Sequence, residues 1–220
     1  MGKIDTLINN AGVIAGKPRA VTKQGYDLMF GTNHLGHFAL VAHVMPSLLE
    51  APAAKIVHLG STTHRGAKLD FDHLATPAAR SFRAYGRSKL AVMLFAFELD
   101  RRLREAGLPV RSLAAHPGYG SGALTPQRGD IVKKANPVFT NIVRFIGHGK
   151  DAGAQSIVRA AIEGDGGSYW GPDGLFNQRG KPVQQAPSDN ALDHDVAARL
   201  WRASEELTGV EFPDLESVPE

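Results

Sequence analysis

At 220 residues the chain suits a single domain, residues 1–220, with room for a buried core. Hydrophobic residues make up 43% and charged residues 21%, an ordinary globular balance; cysteine is absent, which excludes disulfides and thiolate metal sites and fits a reducing, cytoplasmic setting. The net charge of +3 arises from bases interleaved with acids, as in "ELDRRLREAG", a solvated-helix pattern that argues against a nucleic-acid partner, and no apolar run reaches membrane-spanning length.

The first predicted element is a buried strand at residues 6–8, in "TLINNAG", which runs into a glycine turn. Residues 25–49 place Leu28, Met29, Leu35, Phe38, Val41, Val44 and Met45 in a helical pattern, with Pro46 positioned to kink or end the helix. A second strand, "KIVHL" at 55–59, is nearly continuous in apolar character, as expected of a strand covered on both faces. Residues 85–106 set Leu90, Met93, Leu94, Phe97 and Leu103 along one stripe and stop at Gly107, a helix-ending residue. A third strand follows at 110–115, "VRSLAA". Helices at 151–163 and 193–207 begin with aspartates that suit the positive end of the helix dipole, and "SYWGPDGLF" between them holds one last short strand. Strands alternating with helices predict an α/β fold with a mostly parallel sheet and helices on both faces.

The most informative stretch is "AYGRSKLA". Tyr85 and Lys89 are four apart, so a helix stacks phenol and ammonium on one face. A positive charge there favours phenolate and draws a tyrosine pKa down from about 10, as a general acid–base group requires. The same spacing also describes an ordinary surface pair. Three other features bear on the choice. Ser61 in "HLGSTTH", Asn9 to Gly12 in "NNAG", and His116-Pro117-Gly118 each follow the carboxyl end of a predicted strand, where open α/β sheets bind ligands. Turn chemistry accounts for each one singly; together they converge on one crevice.

"DTLINNAGV", "GTNHLGHFALV", "IVHLGSTTHRG", "AYGRSKLA" and "SLAAHPGY" resemble the short-chain dehydrogenase/reductase family, in its retinol-dehydrogenase-like branch. The tail "AARLWRASEELTGVEF" is similar to bacterial members of that branch. The resemblance implies a Rossmann-like oxidoreductase that moves a hydride between NAD(P) and an alcohol or carbonyl carbon. Tyr85 would be the acid–base residue, Lys89 would hold the nicotinamide ribose, Ser61 would hydrogen-bond the substrate oxygen, and Asn33 would position a water linked to Lys89. Asn9, Ala11 and Gly12 would lie against the cofactor, with Pro117 and Gly118 bordering its nicotinamide. The branch favours NADP(H) over NAD(H). No metal is implied, and the spacings of His34, His37, His58, His64 and His73 do not require one; His116 is expected to pack beside the active-site loop.

Two departures stand out. Gly122 occupies the position where related sequences carry a nicotinamide-contacting threonine, with Ser121 and Thr125 nearby. No glycine-rich phosphate loop precedes "NNAG", so the strand at 6–8 reads as the family's fourth, short of roughly 70–90 residues of βαβ units. The alternative reading that this gap allows is an inactive family member serving as a binding module, or a non-functional fragment. Tyr119, Phe139, Phe145 and Trp170 suggest a pocket for a small lipophilic alcohol or carbonyl compound, ordinary core packing being the other reading. An uncovered strand at the front also favours a homo-oligomer or less orderly association.

Overall fold

The strand predicted at the front forms as β1 (Thr6–Asn9) and pairs in parallel with β2 (Lys55–Leu59), which pairs in parallel with β3 (Arg111–Ala115). The computed structural model describes residues 2–14, 19–78, 81–118, 149–213 and 215. Two further strands complete the sheet in the order β1-β2-β3-β4-β5: β4 (Tyr169–Pro172), parallel to β3, and β5 (Pro182–Gln185), antiparallel to β4. The hairpin strand β5 was not anticipated. Its sequence, "PVQQ", has no apolar run because its residues are only partly buried at the sheet margin.

Pleat alternation sends neighbouring side chains to opposite faces. Ile56 and Ala114 face α2 (Gly36–Leu49), α3 (Ser81–Glu105) and α5 (His194–Thr208), where Phe38, Phe95, Leu99 and Trp201 form the main core. Val57, Leu113 and Ala115 face the other way, against Ala160 of α4 (Lys150–Glu163). Trp170 packs there too, partly buried, in keeping with the core reading of that residue.

The helix predicted at 25–49 is more elaborate than its periodicity. It opens with the single turn α1 (Leu28–Phe30), capped by Asp27, whose Oδ1 accepts from the Met29 and Phe30 N–H groups. A π-helical turn, Gly31–Leu35, then leads into α2. Pro46 does not end α2; the helix continues to Leu49. Proline in a helix costs about 3 kcal/mol, but burying the neighbouring Met45 and Leu48 returns roughly 1.5–3 kcal/mol each. The helix predicted at 85–106 starts at Ser81, a turn before Tyr85, and ends at Glu105, with Gly107 at φ +68° beyond it.

Among the described residues β1 pairs on one side only, and on the face shared with α4 nothing covers Ile8, which is 41% exposed. Open edges of this kind pair with other chains. Residues 1–220 expressed alone at tens of micromolar are therefore expected to sediment as associated species, and Ile8→Lys to shift them toward monomer. A monomeric wild-type chain in that experiment would contradict the edge argument.

Candidate active site

The carboxyl ends of β1, β2 and β3 lie side by side, with Asn9 in register with His58 and His58 with Ala114. The N-terminal half of α3 crosses above them. Gly86 permits this approach, because a Cβ there would stand 3.2 Å from the Thr63 carbonyl oxygen. Tyr85 is thereby set beside the 3₁₀ turn Thr62–Gly66 that Ser61 begins.

Lys89 points inward and is 7% exposed; its Nζ donates to the Leu59 carbonyl at 2.7 Å and stands 5.7 Å from the centre of the Tyr85 ring. Burial disfavours the charged form and lowers the Lys89 pKa to about 8. Ser61 is extended, and its Oγ accepts from the Thr63 N–H at 3.3 Å and the Thr63 hydroxyl at 3.0 Å. Its own hydroxyl proton remains available for donation.

Asn33 sits in the π turn, where the extra residue per turn re-aims the side chain toward the loop after β1. Its Oδ1 accepts from the Val13 N–H at 2.8 Å, and Nδ2 donates to the Val13 carbonyl at 3.1 Å and Ser88 Oγ at 3.0 Å. Ser88 Oγ passes its proton to the Tyr85 carbonyl at 2.9 Å. Both N–H groups of the Asn33 amide are thus engaged, and a water at Asn33 would have to donate to a carbonyl oxygen, of the side chain or of the main chain. The main-chain carbonyl accepts from His37 Nδ1 at 2.9 Å and has a second lone pair.

Ala11 and Gly12 are exposed at the end of β1, and a Cβ on Gly12 would come within 3.3 Å of Asn33 Oδ1. Asn9 is different: it is 2% exposed, and its Nδ2 bonds His58 Nδ1 at 3.2 Å inside the sheet. Pro117 and Gly118 follow β3. Gly118 has φ +70°, and a Cβ there would collide with the Gln178 carbonyl. Its N–H donates to His116 Nδ1 at 3.2 Å, which places His116 behind that loop as anticipated. Tyr119, Ser121, Gly122, Thr125, Phe139 and Phe145 lie outside the described residues.

Sequence reasoning missed Ser88, His37 and the Leu59 carbonyl. Ser88 stands next to Lys89, but nothing in "GRSKLA" reveals a bond to a residue 55 positions away. Among the described residues, no three His, Cys, Asp or Glu side chains gather as a metal site, and no helix is long and apolar enough to cross a membrane. A groove of about 220 Å³ lined by Arg102, Trp201, Glu205 and Phe212 opens at the far end of α3. It contains none of the strand-end residues, so convergence of chemistry rather than cavity size locates the site.

Residues 1–131 match the short chain dehydrogenase family, and the chain belongs to it. Within that family it falls in the retinol-dehydrogenase-like branch. It is 34% identical over 224 residues to human retinol dehydrogenase 13, covering 99% of this chain and 64% of that protein. Mouse polyprenol dehydrogenase is 34% identical over 225 residues, 96% of this chain and 62% of that one. The chain therefore spans less than two thirds of the length of these curated relatives. A crystal structure of an uncharacterized protein from Mycobacterium paratuberculosis superposes with a TM-score of 0.75 at 35% identity, covering 97% of this chain and 70% of that one.

The buried histidines give the site a pH limit. Burial lowers His34 and His58 to about 3, and lowers His37 and His64 as well. An unfolded histidine takes up its proton near pH 6.5. Folding therefore excludes protons in acid, and stability present above about pH 6.5 is lost as pH falls from there toward about 3. Thermal unfolding is expected to show a midpoint that drops between about pH 6.5 and pH 4, while the imidazole resonances of His34 and His58 stay fixed through pH 6.5. Titration of either ring at pH 6.5 would refute this account.

Proposed function

We propose that the chain is the catalytic portion of an oxidoreductase that moves a hydride between a nicotinamide dinucleotide and an alcohol or carbonyl carbon. The carrying observation is the buried Lys89 ammonium held 5.7 Å from the Tyr85 ring, beside the strand end that bears Ser61. Bound at the strand ends, the nicotinamide would supply the hydride acceptor or donor. The residues present fit its end of the dinucleotide: Ala11 and Gly12 are open, Gly118 removes a Cβ from the loop after β3, and Lys89 has N–H groups beyond the one given to Leu59. NADP(H) is the preferred form on the branch resemblance.

Tyr85 takes the proton from an alcohol or returns it to a carbonyl oxygen, and the Lys89 charge favours the phenolate this needs. Ser61 donates its free hydroxyl proton to the same oxygen and stabilises charge as it develops there. Asn33 and Ser88 hold the loop after β1 and the first turns of α3 at a fixed separation, so catalysis draws on positioning as well as proton transfer. The curated relatives are named for retinol and polyprenol, both long apolar alcohols; the substrate class proposed here is a lipophilic primary alcohol or its aldehyde.

Turnover of retinol and decanol with NADP, against ethanol as control, tests the reading. Tyr85→Phe should lower kcat by about 10²–10⁴-fold, the usual scale of general acid–base catalysis, with the fold intact. Lys89→Met should weaken cofactor binding and move the pH inflection of alcohol oxidation upward, because the phenolate loses its neighbouring charge. Near-normal turnover by Tyr85→Phe would remove the catalytic assignment.

A further inference from the structure

His64 lies beneath Ser61, fully buried, with both ring nitrogens engaged. Its Nδ1 is 2.5 Å from the Ser61 carbonyl oxygen, which can only accept, so Nδ1 carries a hydrogen. The Ser188 N–H, which can only donate, lies 3.3 Å from Nε2, so Nε2 presents a lone pair. The two partners together fit one state of the ring, the neutral imidazole with its hydrogen on Nδ1.

We propose that His64 is a positioning residue for Ser61, fastening the serine's main chain to the segment after β5 through a neutral imidazole. The proposal rests on the reading of Ser61 as the donor to the substrate oxygen. Ser61 itself is held at its carbonyl by the His64 imidazole and, at 3.2 Å, by the His64 main-chain N–H, and at its Oγ by Thr63, and this aims the remaining hydroxyl proton. The segment after β5 is a fitting anchor because two further contacts, on either side of Ser188, stitch it to the residues that follow His64. Arg65 Nη2 donates to the Ala186 carbonyl at 2.8 Å, and Asn190 Nδ2 donates to the Ala67 carbonyl at 3.0 Å. Those two contacts are exposed, whereas His64 is buried and bonds both the segment and Ser61.

The surroundings maintain the neutral ring. Tyr169 meets it edge-on with centroids 5.5 Å apart, and His116 stacks on the far side of Tyr169 at 5.2 Å. Burial and the neighbouring Arg65 charge oppose protonation, while the bond to Ser61 favours it; burial is the largest of the three. A proton on Nε2 would face the Ser188 N–H, donor against donor, and break the link to the anchor.

Two substitutions separate the two bonds. Asparagine at 64 places an amide N–H where Nδ1 stands, and glutamine places an acceptor near Nε2. With thermal unfolding confirming that both variants fold, His64→Asn should keep the bond to Ser61 but lose the anchor, lowering kcat several-fold and quickening hydrogen exchange at the Ser188 amide. His64→Gln should protect that amide but lower kcat about tenfold, the scale of one lost hydrogen bond in the transition state, with KM for NADPH unchanged. The ¹⁵N spectrum of the wild-type imidazole should show the Nδ1–H tautomer from about pH 8 down to about pH 6. Wild-type kcat in His64→Gln alongside an inactive Tyr85→Phe would overturn this inference and leave the proposed chemistry standing. Near-normal turnover by Tyr85→Phe would instead remove the chemistry, and the tautomer and exchange measurements would still judge the His64 link. An Nε2–H tautomer overturns it whatever the turnover.

Discussion

An ammonium group that is nine-tenths buried needs oxygen ligands, and much of this site follows from how Lys89 finds one. The Leu59 carbonyl is the last of β2, and accepting from Lys89 Nζ at 2.7 Å ties the start of α3 to the carboxyl end of the central strand. Tyr85, one turn earlier on the same face, is carried with it. Ser61, two residues beyond Leu59, is carried from the other side. One desolvated charge thus sets the separation between the phenol and the serine, and its lowered pKa of about 8 records the cost of taking it out of water.

The remaining polar groups around the site are organised to keep that arrangement rigid. Asn33 connects the loop after β1 to α3 through Val13 and Ser88, and it reaches both because a π turn interrupts the helix that bears it. His37 holds the Asn33 carbonyl and His64 holds the Ser61 carbonyl, each through Nδ1. Buried donors and acceptors left unpaired would each cost on the order of 1–3 kcal/mol, so a satisfied network of this kind both stabilises and fixes geometry. His37 and His64 suit these roles, whereas His34 and His58 each keep one buried ring nitrogen without a partner among the described residues. A neutral imidazole offers one donor and one acceptor in a rigid ring, and burial keeps it neutral.

The architecture was largely legible from the chain. Apolar runs such as "KIVHL" and the stripe through Leu90, Met93, Leu94 and Phe97 identified β2 and α3, because burial on two faces or on one stripe leaves a direct imprint on residue order. The gathering of Ser61, Tyr85, Lys89 and Asn33 followed from strand-end topology and family motifs. What escaped had weak local imprints. "PVQQ" gains strand structure by pairing with β4, not from its own pattern, and the π turn at Gly31–Leu35 has no distinct period. Pro46 looked like a helix stop because propensity is local, whereas the buried Met45 and Leu48 that carry the helix past it are tertiary.

By itself, then, the sequence determined the α/β class and the helical spacing that stacks Tyr85 with Lys89, and it supplied the side chains to which the proposed chemistry is assigned. Backbone geometry makes those properties local. The tertiary structure decided which polar atoms remain free to act. It engaged both N–H groups of the Asn33 amide with Val13 and Ser88, turned Asn9 into the sheet against His58, and left Ser61 with one proton to donate. Hydrogen-bond partners 20 to 55 residues apart are set by packing, and no local pattern encodes them.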